Sequence, residues 1–141
     1  MGLQHSIKFN GGYMYNRSDI AYAAGVFDIH GSIKIITDKK DLTNSSLYIW
    51  ITSKDAKLMK FLELFEAVIG PVSGGQFRAK WKDNKAYYLL KSMLPQLIIK
   101  KDQAEVGMEF YINKTNNTNP ETYIMPLVTR LKLLKRDDLG E

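Results

Sequence analysis

Residues 20–33, Ile-Ala-Tyr-Ala-Ala-Gly-Val-Phe-Asp-Ile-His-Gly-Ser-Ile, constrain this chain more than any other stretch. They read as a helix body over 20–28 that Gly31 ends, dropping the chain into a strand. One stripe at helical spacing, Ala21, Ala24, Gly25 and Asp28, carries almost no bulk, which lets another helix backbone approach closely. The adjoining stripe, Ile20, Ala23 and Phe27, is apolar and suits a core. Two ionisable groups, Asp28 and His30, gather at the helix exit. The helix therefore needs partners on two faces and has room for chemistry at one end.

The chain has 141 residues, 45% of them hydrophobic and 25% charged, with a formal net charge of +5. That length most simply supplies one domain, taken as residues 18–141, with residues 1–17 as an N-terminal arm or a small hairpin about Asn10-Gly11-Gly12. The absence of cysteine excludes disulfides, thiol catalysis and thiolate metal sites. No apolar run reaches the roughly 18 residues of a membrane span, and the N-terminus lacks a secretory leader's apolar core. An intracellular protein of cytoplasm, nucleoid or organelle, with no membrane partner, is the expectation. A basic balance favours an anionic partner where the cations share one surface.

Strand-like alternation shows which side chains share a surface. Residues 32–38 alternate Ile33, Ile35 and Thr37 against Lys34, Ile36 and Asp38. Residues 46–52 alternate Leu47, Ile49 and Ile51 against Ser46, Tyr48, Trp50 and Thr52, and both stretches read as strands. Ser53 is a plausible cap for a helix over 54–69, closed by Gly70-Pro71. Gly74-Gly75 marks a two-residue hairpin leading into a strand over 76–82, where Phe77, Ala79 and Trp81 oppose Gln76, Arg78, Lys80 and Lys82. Asp83 or Asn84 caps a third helix to about residue 94, and a fourth covers 103–113. Asn119-Pro120 opens a final basic helix in which Pro126 predicts a kink or a later start. The order is α-β-β-α-β-β-α, an α+β fold.

This order and the opening stretch together resemble the LAGLIDADG homing endonucleases. Residues 23–31 overlay the nine-letter motif at Ala24, Gly25, Asp28 and Gly31, with apolar Val26 and Phe27 where the motif is apolar. Pro95-Gln-Leu-Ile-Ile-Lys100-Lys101-Asp102-Gln103-Ala104 is similar to the family's passage from third to fourth helix, including a basic residue and a Gln-Ala pair. The resemblance implies a saddle-shaped antiparallel sheet laid in the major groove of double-stranded DNA, with helices on its other face. It implies a homodimer whose seam is the motif helix, through Ala21, Ala24, Gly25 and Asp28. On this reading Lys34, Ile36, Asp38, Ser46, Tyr48, Trp50, Gln76, Arg78, Lys80 and Lys82 face the duplex. Trp50 has the alternative of folding back into the core.

The resemblance also implies phosphodiester hydrolysis with a divalent metal such as Mg²⁺, held by an acid just before the last Gly of each motif. That position is His30, and imidazole is a neutral nitrogen ligand that suits zinc, nickel or copper better than magnesium. His30 and the backbone carbonyl of Ile29 are the remaining metal-ligand candidates. Asp28, Ser53 and Lys100 complete the catalytic set, Ser53 standing where the family often has a longer polar residue and Lys100 keeping the basic one. The reading is a sequence-specific DNA-binding protein whose cleavage is weak or lost, needing Mg²⁺ only if active. The alternatives are a working endonuclease with an altered site and an RNA-binding intron-splicing maturase.

Overall fold

The computed structural model describes residues 6–9, 12–116 and 119–138, without the side chains of 6–9, 12–14, 137 and 138. His5 and the Asn10-Gly11 pair lie outside the described residues. Strands β1 (Ser6–Phe9) and β2 (Gly12–Tyr15) pair antiparallel, with Ser6 opposite Tyr15. Helix α1 (Arg17–His30) starts earlier than the sequence pattern suggested. Its N-cap is Asn16, whose side chain accepts the Asp19 N–H at 3.1 Å. Gly31 begins β3 (Gly31–Ile36) with φ −81 and ψ 158, which any residue adopts. Space explains the glycine: a Cβ there would lie 2.2 Å from Cδ1 of Phe27.

After a turn, β4 (Ser46–Ser53) pairs with β3, Gly31 standing opposite Ile51. Helix α2 (Ala56–Leu62) is much shorter than the predicted 54–69. Its cap is Asp55, which accepts the Lys57 and Leu58 N–H groups, while the Ser53 hydroxyl accepts the Asp55 N–H. A left-handed Glu66 (φ 65) reverses the chain, and residues expected to be helical become strand β5 (Val68–Val72). The Gly70-Pro71 pair, read as a helix stop, lies within that strand. An edge position tolerates Pro71, since a proline there need not donate to a second neighbour.

A turn at residues 73–75, with Gly74 and Gly75 at φ 77 and 73, joins β5 to β6 (Gln76–Lys82). Both glycines occupy left-handed backbone that disfavours a Cβ. The sheet order is β3-β4-β6-β5, all antiparallel. Helices α3 (Asn84–Met93), α4 (Lys101–Asn116) and α5 (Ile124–Asp138) follow. Pro126 falls in the first turn of α5, so the later start is the outcome; its missing N–H costs nothing there. Asp83 precedes α3, but its carboxylate accepts the Leu47 N–H at 3.0 Å and Lys114 Nζ at 3.2 Å instead of capping that helix.

One face of the sheet is covered and one is open. Ile33, Leu47, Ile49, Ile51, Ala79 and Trp81 point inward and are buried against Phe27, Leu62, Leu90 and Phe110 of the helices. The Trp81 indole N–H donates to the Phe65 carbonyl at 2.9 Å, so the largest buried side chain brings no unsatisfied polar group inside.

Candidate nucleic-acid interface

The open face is built by period-two alternation on four paired strands. Strand register sets its side chains in cross-strand rows. Lys34, Tyr48 and Lys82 form one row; Ser32, Trp50, Lys80 and Val68 form the next. Thr52, Arg78 and Gly70 form a third, and Gln76 stands opposite Val72. Four cations share this face, and no carboxylate lies in these rows. Trp50 is half-buried and stays on the open face: the Arg78 guanidinium sits 4.4 Å from its ring centroid. Lys80 and Lys82 share the Tyr48 ring at 5.4 and 5.7 Å. Such contacts hold long cationic side chains against the sheet without neutralising them.

Two predicted face residues sit differently. Strand β3 ends at Ile36, so Asp38 lies in the turn, where its carboxylate accepts the Lys40 and Asp41 N–H groups at 2.9 and 3.3 Å. Ser46 ends the row from exposed Ile36 but is itself buried. Thr52, named in the alternation but not as a site, and Ser32 belong to the face as well. So does Val68, which the helical reading of 54–69 hid.

At the exit of α1 the Asp28 carboxylate accepts three backbone N–H groups, Ile98 at 2.8 Å, Ile99 at 3.1 Å and Lys100 at 3.0 Å. In return Lys100 Nζ donates to the Asp28 carbonyl at 2.8 Å, satisfying a carbonyl in the last turn of the helix. Asp28 is 7% exposed and Ala24 fully buried, so neither offers its side chain to an outside partner. This corrects the predicted small-residue seam, half of which packs inside the chain. Along one side α1 shows Ala21, Tyr22, Gly25, Ile29 and His30 to solvent, with half-buried Val26 beside them. A Cβ on Gly25 would meet nothing within 4 Å.

A cavity of about 380 Å³ lies beside the exit, lined by Asp28, Gly31, Ser32, Lys100, Gln103 and Lys135. Burial, and then the Lys34 ammonium, push the Lys135 amine down from 10.5 to about 8. His30 is exposed. Ser53 lies at the same end of the sheet, two residues beyond the Gly31–Ile51 pair.

No family model and no curated protein matches the sequence. Solved structures do match the fold. The chain is similar to the homing endonuclease I-CvuI, solved in complex with its target in the presence of calcium. Identity is 18% over 84% of this chain and 82% of that one, with a TM-score of 0.71. It is similar to the archaeal intron-encoded homing endonuclease I-Vdi141I complexed with DNA, at 17% identity over 87% and 83% of the two chains and TM-score 0.62. The LAGLIDADG meganuclease I-AabMI bound to uncleaved DNA matches at 17% identity and TM-score 0.62, over 82% of this chain and 43% of that one.

The fold is that of the LAGLIDADG homing endonucleases.

Within this LAGLIDADG fold, the residues present do not fit magnesium. Among the described residues no three His, Asp or Glu side chains come together as a metal-binding group. Asp28 has committed its oxygens to three amides, His30 brings nitrogen, and the Ile29 carbonyl is a neutral oxygen. A hard dication wants several oxygens, some of them charged. Lys135 and Gln103 were absent from the predicted site. Gln103 stood in the Gln-Ala pair of the second motif segment, whereas Lys135 gave no signal beyond its place in a basic helix. Among the described residues no helix is long and apolar enough to cross a membrane.

Proposed function

We propose that this chain is a sequence-specific double-stranded DNA-binding protein that acts as a homodimer, with strand cleavage weak or lost at the His30 position. The open sheet face carries the proposal: Lys34, Arg78, Lys80 and Lys82 share it with Tyr48 and Trp50, and no carboxylate lies in their cross-strand rows, Asp38 standing at the margin beside Tyr48 and Lys82. Cations that converge without carboxylate partners attract phosphate, and release of counterions then drives binding. Four strands spaced 4.7–4.9 Å apart span about 14 Å, close to the roughly 12 Å major groove. The DNA complexes of I-CvuI and I-Vdi141I support the same reading. The exposed Ala21, Gly25 and Ile29 stripe supports a seam with a second copy, since small residues admit a close helix pair. The donor set at His30 supports loss of magnesium-dependent hydrolysis.

Selection from a random duplex pool, with a structured RNA pool in parallel, tests the proposal. Enrichment of a pseudo-palindromic duplex is expected, and preferential enrichment of RNA overturns it. Replacing Arg78 and Lys80 together by alanine, which alters both protomers of the dimer, should weaken binding and lower the salt slope by about four units if both meet phosphates, or about two if one of them does. The selected duplex is then incubated with Mg²⁺. Cutting by the unaltered chain overturns the loss of cleavage, and cutting only after His30→Asp supports it.

A further inference from the structure

Resting on that DNA-binding reading, we infer that Trp50 and Thr52 are positioning residues that hold Arg78 as a preformed reader of one guanine in each half-site. Arg78 differs from the other cations of the open face in having two fixed points. Its Nε–H donates to the Thr52 hydroxyl at 3.2 Å, and its guanidinium carbon lies over the Trp50 ring, 4.4 Å from the centroid. Thr52 is its direct cross-strand neighbour, and Trp50 is the next outward residue along β4. With Nε engaged, the two terminal nitrogens remain as a fork. Among the described residues no carboxylate pairs with it.

The other side of Arg78 is open. Its neighbour on β5 is Gly70, and a Cβ there would meet nothing within 4 Å. A planar base edge can therefore approach the fork from that side. Position in the sheet selects a base over a phosphate. Strands β4 and β6 are the inner pair of the sheet; in a sheet laid along the major groove they would lie over its floor, with the edge strands β3 and β5 nearer the two DNA backbones. Guanine presents O6 and N7 in the major groove, the acceptor pair that a guanidinium fork matches. Holding the fork in the free protein reduces the side-chain freedom lost on binding. Lys80 and Lys82 lack this second fixed point. Each rests on the Tyr48 ring and, among the described residues, has no hydrogen bond or ion pair to fix it, as suits a mobile point charge near phosphate.

The test uses the duplex selected by the full chain, with each guanine replaced in turn by 7-deazaguanine, which lacks the N7 acceptor. One guanine per half-site is expected to be sensitive, with affinity falling on the order of tenfold. Thr52→Val, which keeps the shape and removes the acceptor, should lower the preference for that guanine severalfold and leave the salt slope unchanged. Thr52→Ser should preserve the preference, and Trp50→Leu should lower it further than Trp50→Phe. Unaltered base preference in Thr52→Val overturns the inference. So does a loss in Arg78→Ala that is equal on all duplexes and lowers the salt slope by about two, the mark of one phosphate contact in each protomer. If the unaltered chain enriches no duplex, the DNA-binding reading itself falls. Enrichment without an Arg78-dependent guanine removes the positioning role alone.

Discussion

Asp28 and Lys100 bind each other reciprocally: the Asp28 carboxylate accepts the Lys100 backbone N–H at 3.0 Å, and the Asp28 carbonyl accepts Lys100 Nζ at 2.8 Å. Seventy-two residues separate them in sequence. The pair ties the exit of α1 to the approach to α4, joining the two segments that carried the family resemblance. The one acid of the exit is thereby a structural group, which leaves His30 as the ionisable side chain of α1 that solvent reaches there.

Replacing Asp28 by alanine should be costly. Three backbone N–H groups lose a charged acceptor in a part-buried site, and water reaches them poorly. A loss of about 3 kcal/mol is expected, read as a lower denaturation midpoint in urea. A variant as stable as the parent would show that these amides are satisfied without the carboxylate.

Two glycines of the motif helix should respond in opposite ways. Gly31→Ala places a Cβ against the Phe27 ring, and overpacking of this kind costs about 1–3 kcal/mol. Gly25→Leu meets open space within the chain, and leucine favours a helix more than glycine does. Its stability should hold or rise while sedimentation shows loss of the dimer. A Gly25→Leu chain that remains dimeric places the seam elsewhere.

Lys135 predicts a pH dependence with a definite sign. Its folded pKa of about 8 lies below the ordinary 10.5, so between those values the unfolded chain holds more protons than the folded one. Stability therefore rises with pH across that window, and the full penalty of the half-buried charge applies below it. Lys135→Met removes the penalty. It should be more stable than the parent at pH 7, and the gap should close by pH 10.5. Urea titrations at the two pH values measure it; a gap that does not change with pH assigns the difference to packing.

What the sequence by itself determined was whatever depends on local period. The alternation of residues 46–52 and 76–82 defined which side chains share a face, because successive strand residues point to opposite sides whatever the partner. The register of β4 on β6 then placed Trp50 beside Lys80 and Thr52 beside Arg78, which no local pattern specifies. The small and apolar stripes of α1 were legible, but which small residues remained outside was not. Ala24 is buried within the folded chain, and Asp28 is held by backbone amides some seventy residues downstream. Residues 68 and 69 continued a helical pattern, yet Glu66 turned the chain and pairing with β6 satisfied their backbone as a strand. Lys135 acquired its character only when α5 carried it toward Lys34 and away from water. Burial and neighbouring charge depend on distant segments meeting, so the tertiary structure alone decided which ionisable groups became structural and which stayed available.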